Sequence, residues 1–249
     1  SLRSIYPRFG LNPLLKKLSS QILHENSLNN HDAWPYPNKY FAIKAKKYCD
    51  KYTSCKNSFI KMKGSLYFLI TTEAASNYAR TFWQHTGLGA SSRQAAIDLN
   101  LELSPEKNLV NECKCKLIER ISSSINTDPH LIYLTSSGMS AFHTALEIIY
   151  KIFPKRPTLQ IGFPYVDVLK LPKNIFYGAH LITEESTKDI ELEIKKINPS
   201  ALIIELPSNP LLKCTNIKKI AKIAKDLNIP VITDDTIGSN ININSLEVS

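Results

Sequence analysis

The second half of the chain alternates short apolar runs with segments whose apolar residues recur at the period of a helix. The apolar runs predict strands at residues 131–135, 159–162, 181–183, 201–205 and 231–234. Between the last two runs, the apolar positions from Ile217 to Leu227 have helical spacing. Strands that alternate with helices pair as a parallel sheet, so the pattern predicts an α/β fold with a mainly parallel sheet flanked by helices.

The first part of the chain lacks this alternation, and we expect a domain boundary near residue 95. Residues 1–95 combine one or two helices with a strand-like run from Ser65 to Thr71, which predicts an N-terminal α/β region. The segment from Asn26 to Asn38 is rich in Asn and Pro and predicts a loop. Residues 96–249 would then form the second domain.

A helix is predicted soon after this boundary. Ser104 and Pro105 are residues typical of the N-cap and the first turn of a helix. The apolar positions that follow are Leu109, Val110, Cys113, Leu117 and Ile121. Their spacing gives the predicted helix an apolar stripe.

Polar side chains stand where the last two predicted strands end. The run from Ala201 to Ile204 leads into Glu205-Leu-Pro-Ser-Asn-Pro210, and the last run leads into Asp234. Because ligands of open α/β sheets lie beyond the carboxyl ends of the strands, Asn209 and Asp234 would face one crevice. An aspartate there can keep a pyridine nitrogen protonated, as pyridoxal phosphate (PLP) enzymes require. Taken alone, these two strand ends favour an ordinary doubly wound sheet with polar ends.

A turn of small residues adds a second signal. Ser136-Ser-Gly-Met-Ser140 links the predicted strand at 131–135 to a helix. The apolar positions of that helix are Phe142, Leu146, Ile149 and Phe153. Such a turn leaves backbone N–H groups at the positive end of the helix dipole, where they can bind phosphate. Gly138 allows close backbone approach, and the hydroxyls of Ser137 and Ser140 can add donors.

With these motifs in this order, the chain resembles the Cys/Met-metabolism group of fold-type I PLP enzymes. It is more closely similar to the fungal-type cystathionine γ-synthases. Four further segments carry that resemblance: Tyr6-Pro-Arg-Phe9, Phe82-Trp-Gln-His-Thr-Gly87 with Ser91-Ser-Arg93, Gly162-Phe-Pro-Tyr-Val-Asp167, and Asp234-Asp-Thr-Ile-Gly238. The resemblance spans nearly the whole chain and implies that residues 96–249 are the N-terminal portion of a PLP-binding large domain.

The resemblance implies a role for individual residues, and the cofactor it implies is pyridoxal 5′-phosphate. Ser137, Gly138 and Met139 match the phosphate-binding turn of the family. Tyr165 matches the aromatic residue that stacks on the pyridine ring, and we count it as catalytic. Asn209 matches the asparagine near the phenolic oxygen of the cofactor and the carboxylate of the substrate.

Asp234 matches the partner of the pyridinium nitrogen and is the second residue implied to be catalytic. Where the wider family has Asp-Asn-Thr, this chain has Asp234, Asp235 and Thr236, a difference that the fungal-type branch tolerates. We count Thr236 with the cofactor-binding residues. Arg93 matches the arginine that reaches the cofactor phosphate of a neighbouring subunit.

The segment from Trp83 to Gly89 has two interpretations. From its residues alone, we predict a structured loop around a buried Trp83. The resemblance instead places this loop near the active site, across a dimer interface.

The Schiff-base lysine of the family lies one strand beyond the Asp-x-Thr motif, and the sequence stops at Ser249, before that point. The lysines that precede Asp234 are Lys213, Lys218, Lys219, Lys222 and Lys225, whose spacing predicts a solvated face. We therefore expect a fragment truncated before the catalytic lysine and inactive by itself. A degenerate homologue that serves as a binding or scaffolding protein is the alternative.

For the full-length protein, the resemblance implies a PLP-dependent transferase. Such an enzyme would join an O-acylhomoserine and cysteine by γ-replacement, in transsulfuration and methionine biosynthesis. A related PLP-dependent lyase is a further alternative. The resemblance also implies amino-acid substrates and a homo-oligomer, either a dimer or a tetramer.

Composition and charge add limits to this interpretation. The formal charge of +9 suggests nucleic acid or an anionic membrane as partners, but the closest approach to a basic run is Lys44-Ala-Lys-Lys47 on a predicted amphipathic helix. We therefore expect neither a nucleic-acid partner nor a membrane partner.

The five cysteines are Cys49, Cys55, Cys113, Cys115 and Cys214. Their odd number and irregular spacing predict free thiols, no metal site and a cytoplasmic protein.

Overall fold

A computed structural model describes residues 10–53, 57–183 and 187–248, so the motif Tyr6-Pro-Arg-Phe9 and Cys55 lie outside the described residues. Among the described residues, contacts divide the chain into two compact units. The first comprises the residues up to Asn111 together with Ser136–Ser140. The second comprises Glu112–Thr135 together with the residues from Ala141 onward. The domain boundary near residue 95 stays a prediction.

The first unit contains a three-stranded antiparallel sheet, in the order β1-β3-β2. Its elements are α1 (Pro13–Glu25), β1 (His31–Tyr36), α2 (Lys39–Tyr52), β2 (Phe59–Lys63), β3 (Leu66–Thr72), α3 (Glu73–Thr86) and α4 (Ser92–Asp98). Strand β3 confirms the strand-like run that the sequence predicts. Leu18 and Ile22 of α1 pack against Phe68 and Ile70 of β3, and this contact forms the core of the unit.

Two local predictions for this unit are wrong. The segment from Asn26 to Asn38 contains strand β1, which pairs with β3 along its whole length. Pro35 is accommodated because β1 is an edge strand, and its carbonyl oxygen accepts a hydrogen bond from the N–H of Ala90 at 3.0 Å. The segment predicted as a loop from Trp83 is helical up to the end of α3, and Gly87 follows it in the left-handed conformation with φ 66°. The prediction that Trp83 is buried is confirmed.

The second unit confirms the parallel sheet. Helix α5 (Lys107–Ile125) begins in the first unit and ends in the second, and α6 (Gly138–Ile152) follows it. The remaining elements are β4 (Thr158–Ile161), α7 (Val166–Ile175), β5 (Ala179–Ile182), α8 (Thr187–Ile197), β6 (Leu202–Glu205), α9 (Ile217–Asp226), β7 (Val231–Asp234) and α10 (Ser239–Asn242). The four strands are parallel and stand in the order β5-β4-β6-β7. Their apolar side chains pack with Ile190, Ile194 and Ile220 from the helices.

The strand predicted at residues 131–135 is wrong. A 3-10 turn occupies Pro129–Leu131, and irregular chain follows it. The carboxylate of Asp128 caps this turn by accepting a hydrogen bond from the N–H of His130 at 2.8 Å. Tyr133 is 82% exposed, so the apolar run is not buried. An apolar run becomes a strand only where a neighbouring strand pairs with it, and none of the described strands does so here.

Helix α5 begins at Lys107, slightly later than Ser104 and Pro105 predict. None of its residues is buried, and Leu109 and Leu117 of its apolar stripe are exposed. The pattern therefore predicts the helix but does not identify what covers its stripe. No helix that the structure describes is long and apolar enough to cross a membrane.

Candidate functional site

The carboxyl edge of the parallel sheet contains the point where the strand order reverses. The chain goes from β4 outward to β5 and then returns to place β6 on the other side of β4. The chains leaving β4 and β6 therefore separate at this edge, and such a switch point forms the ligand crevice of open α/β sheets. Gly162 follows β4 here with φ 89°, a conformation that favours glycine.

A cavity of about 560 Å³ lies at this edge. Residues at or just beyond the carboxyl ends of β4, β5 and β6 line it, among them Gly162, Thr183, Glu205 and Ser208. Lys213 also lines the cavity, although its sequence context groups it with the solvated lysines of α9. This volume lies within the range of small-molecule sites.

Glu205 links two neighbouring elements of the site. Its side chain is buried, with 6% of the residue exposed, and its carboxylate accepts a hydrogen bond from the backbone N–H of Tyr165. In the parallel register it stands opposite Asp234. The pKa of Glu205 is raised to about 6, mainly by burial. The hydrogen bond from the N–H of Tyr165 lowers this pKa, and the charge of Asp234 raises it.

Asp234, at the end of β7, is half-buried and held by its own turn. Its Oδ1 accepts hydrogen bonds from the N–H of Thr236 at 3.2 Å and from the hydroxyl of Thr236 at 2.6 Å. Its Oδ2 accepts no hydrogen bond from any residue that the structure describes. One carboxylate oxygen thus fixes the orientation of the side chain, and the other can accept a proton donor from a ligand.

Tyr165 is half-buried at the N-cap of α7, and its bond to Glu205 fixes the start of that helix. Asn209 is exposed in the loop after β6. Ser208 closes that loop because its N–H donates to the carbonyl oxygen of Lys213 at 3.0 Å and its Oγ accepts from the N–H of Lys213 at 3.1 Å. The second unit thus brings Tyr165 and Asp234 together through Glu205, and it places Asn209 on a loop that leaves the same edge.

In the first unit, the turn that precedes α6 has two serines that cap each other. The Oγ of Ser137 accepts from the N–H of Ser140 at 3.1 Å, and the Oγ of Ser140 accepts from the N–H of Ser137 at 3.0 Å. The N–H groups of Gly138 and Met139 donate to no residue that the structure describes. A side chain built on Gly138 would meet no atom within 4 Å. Two free amides and open space at a helix N-terminus suit a phosphate group.

Gly87 packs directly against this turn. A Cβ built on Gly87 would lie 2.6 Å from the Oγ of Ser137 and 2.8 Å from the backbone nitrogen of Ser140, both shorter than any normal contact. Its φ of 66° also favours glycine. Sequence reasoning did not include Gly87 among the site residues, because the approach joins positions 50 residues apart. Arg93 is exposed in α4, and its role stays a prediction.

Each unit by itself offers groups that suit one part of a phosphorylated pyridine. In the first unit, Gly138 and Met139 offer amides for a phosphate. In the second unit, Asp234 offers a carboxylate oxygen for a ring N–H. A buried acid of raised pKa beside Asp234 disfavours a further negative charge there and favours a cationic ring. Sequence reasoning also missed Glu205 as part of the site, because its bond to Tyr165 crosses 40 residues.

No group of His, Cys, Asp or Glu residues that could hold a metal ion occurs in the described part of the chain. Of the cysteines described, Cys49 is buried, whereas Cys113, Cys115 and Cys214 are exposed free thiols.

Residues 127–249 match the model of a family described as Cys/Met metabolism PLP-dependent enzyme. This range contains every predicted site residue except Arg93. The cofactor of the family is the one that the motifs and the resemblance imply.

The chain is also similar to individual fungal and bacterial proteins. It is 34% identical over 128 residues to cystathionine gamma-synthase of Neurospora crassa, covering 47% of this chain and 20% of that protein. It is 24% identical over 250 residues to a cystathionine gamma-synthase-like enzyme of Amanita muscaria, covering 73% and 41%. It is 27% identical over 177 residues to the L-2-amino-4-chloropent-4-enoate dechlorinase/desaturase of Streptantibioticus cattleyicolor, covering 66% and 35%. The matched region spans a fifth to two fifths of the length of these relatives.

Proposed function

The chain belongs, through residues 127–249, to the Cys/Met metabolism PLP-dependent enzymes, and on this premise we propose that it forms part of a cystathionine γ-synthase-like transferase. The full-length enzyme would join an O-acylhomoserine to the thiol of cysteine by γ-replacement. The similarity to the Neurospora crassa enzyme supports this choice of reaction.

We assign the cofactor-binding roles from the family match and the geometry together. The amides of Gly138 and Met139 bind the phosphate of PLP, and the hydroxyl of Ser137 adds a donor. As the family resemblance implies, Tyr165 would hold the pyridine ring by stacking, and Asn209 would bind the phenolic oxygen. When bound, the cofactor supplies an electron sink for negative charge that develops on the substrate.

Asp234 keeps a proton on the pyridine nitrogen, and this is its contribution to the reaction. Thr236 fixes Oδ1 of the carboxylate, so Oδ2 can accept the ring N–H. The carboxylate of Glu205 accepts a hydrogen bond from the backbone N–H of Tyr165 and so orients the start of α7. This open carboxylate oxygen at a strand end, in a chain of this family, is the observation that carries the proposal.

The test compares Asp234→Ala with Asp226→Asn in the full-length protein. Asp226 is an exposed acid at the end of α9, and its replacement removes one negative charge from the same unit. We expect kcat of Asp234→Ala to fall by at least about 100-fold. A contact that stabilises charge in the transition state, as Asp234 would at the pyridine nitrogen, lowers the activation free energy by several kcal/mol. Asp226→Asn should keep wild-type kcat. Wild-type turnover by Asp234→Ala would overturn the assignment.

A PLP-dependent lyase is the second candidate. A relative named a dechlorinase/desaturase matches 66% of this chain, and that name describes a reaction that removes a group and does not add a second substrate. Product analysis with and without cysteine separates the two reactions. A thioether product that appears only when cysteine is present supports the transferase, whereas a keto acid formed at the same rate in both conditions supports the lyase.

The inactive-homologue alternative has a separate test. Full-length protein is incubated with PLP, reduced with borohydride, digested and mapped by mass. A pyridoxyl group on a lysine supports an enzyme. A full-length protein that binds PLP but acquires no label supports a binding protein.

A further inference from the structure

The first unit contains a second cavity, of about 350 Å³, whose lining residues have no role in the proposed reaction. Trp34 of β1 and Trp83 of α3 line it, together with three charged side chains. The charged residues are Lys16 of α1, Asp32 of β1 and Arg80 of α3. All of them belong to the first unit, so the cavity lies within one compact body.

The two tryptophans form an apolar wall of the cavity. Their ring centroids lie 6.1 Å apart, and Trp83 is 6% exposed. The indole nitrogens of both residues are buried and have no hydrogen-bond partner among the described residues. The backbone of Gly89 packs closely beside the indole nitrogen of Trp83, because a Cβ on Gly89 would lie 2.3 Å from that nitrogen. The contribution of the two tryptophans to the cavity is therefore the apolar surface of their rings.

The charges around the cavity have both signs. Lys16 and Arg80 are exposed cations, and neither forms an ion pair with any residue in the described ranges. Asp32 accepts a hydrogen bond from the hydroxyl of Ser76, which fixes the carboxylate at the cavity wall. Two cations and one oriented acid would bind a molecule that carries an anionic group and a cationic group together.

We propose that this cavity binds a small zwitterion of the α-amino acid class with an apolar side chain. Its carboxylate pairs with Arg80 and Lys16, its ammonium group pairs with Asp32, and its side chain packs on the two indole rings. The cavity volume lies at the small end of the range for small-molecule sites, as an amino acid requires. This site is separate from the residues assigned to the cofactor.

The protein carries its own reporter for this site. Trp34 and Trp83 are the two tryptophans of the 249-residue chain, so all tryptophan fluorescence of this chain arises at the cavity. The full chain without cofactor is titrated with each common L-amino acid in turn at millimolar concentration. We expect a saturable change in tryptophan emission for at least one amino acid with an apolar side chain.

Variants then test the charged contacts. We expect Arg80→Gln and Asp32→Asn to weaken binding by about tenfold or more, the size of one lost hydrogen bond to a charged group. Lys17→Gln is the matched control, because Lys17 is an exposed neighbour on α1 that does not line the cavity. It should bind as the wild type does. Far-UV circular dichroism of each variant checks that the fold is kept.

Ligand analogues keep the proposal falsifiable even if a variant fails to fold. The methyl ester of the best amino acid lacks the anionic group, and its N-acetyl derivative lacks the cationic group. The proposal predicts that both bind at least about tenfold more weakly than the parent. Binding of either analogue as tightly as the parent, equally tight binding of acetate, or no saturable change with any amino acid would overturn it. Because no cofactor is present, the result is independent of the proposed reaction.

Discussion

Replacing Glu205 with Gln should remove a pH dependence from the stability of the fold. Glutamine keeps an oxygen that accepts the N–H of Tyr165, but it cannot ionise. In the wild type, burial and then the charge of Asp234 raise the pKa of Glu205 from 4.5 to about 6. The folded protein therefore holds this proton more tightly than the unfolded chain does. Glu205 stabilises the fold below pH 4.5, and that contribution is lost as pH rises through about 6.

The shift in the pKa of Glu205 sets the size of the effect. A change from 4.5 to about 6 corresponds to about 2 kcal/mol. Screening by water at the rim of the cavity reduces this to about 1 kcal/mol. We thus expect Glu205→Gln to become more stable relative to the wild type, by about 1 kcal/mol, between about pH 4 and about pH 7.5.

Urea unfolding followed by far-UV circular dichroism measures this difference, because the second unit contains no tryptophan in its described residues. Titrations common to both proteins cancel when the free energies of unfolding are subtracted. Glu119→Gln is the control, since Glu119 is exposed on α5 and its difference from wild type should not vary over this range. A flat difference for Glu205→Gln, or one that favours the wild type as pH rises, would refute the reasoning.

Three further predictions concern single contacts. Gly87→Val should weaken PLP binding by about tenfold or more, because the new side chain would collide with Ser137 and Ser140 and displace the turn before α6. A fluorescence titration with PLP measures this loss of affinity. Leu146→Ala should lower the free energy of unfolding by about 2–5 kcal/mol because Leu146 is fully buried, whereas Leu103→Ala, at a position 95% exposed, should leave it within about 0.5 kcal/mol. Thr236→Val should weaken PLP binding by about three- to tenfold through the freed carboxylate of Asp234, and Thr236→Ser should restore it.

The parallel sheet was predictable because its signals are local. The apolar runs of β4, β6 and β7 are each followed within a few residues by glycine, proline or acidic residues that end a strand. The wrong strand at residues 131–135 has the same kind of apolar run, but a strand also requires a pairing partner, which no local pattern reveals. Strand β1 was missed for the opposite reason, since Asn and Pro residues surround a segment that pairs with β3.

The candidate site was predictable only in part. Asp234 and the turn at Gly138 could be identified because each ends or begins an element with a recognisable pattern. The contacts of Glu205 with Tyr165 and of Gly87 with Ser137 connect positions 40 and 50 residues apart. Their closeness depends on how the elements pack, and no local pattern of residues contains a signal for that packing. Only the resemblance to the family indicated that the segment containing Gly87 lies near the active site.

Helix α5 determines where a protease would cut the native protein. The helix is 19 residues long, and none of its residues is buried. Trypsin cleaves after lysine and arginine, and the helix contains Lys107, Lys114, Lys116 and Arg120. A helix without tertiary packing is only marginally stable, so it opens often enough for cleavage. The early fragments would nevertheless elute together in gel filtration, because Gly87 before the cut packs on Ser137 after it. A nicked yet undivided protein is thus the expected first product of digestion.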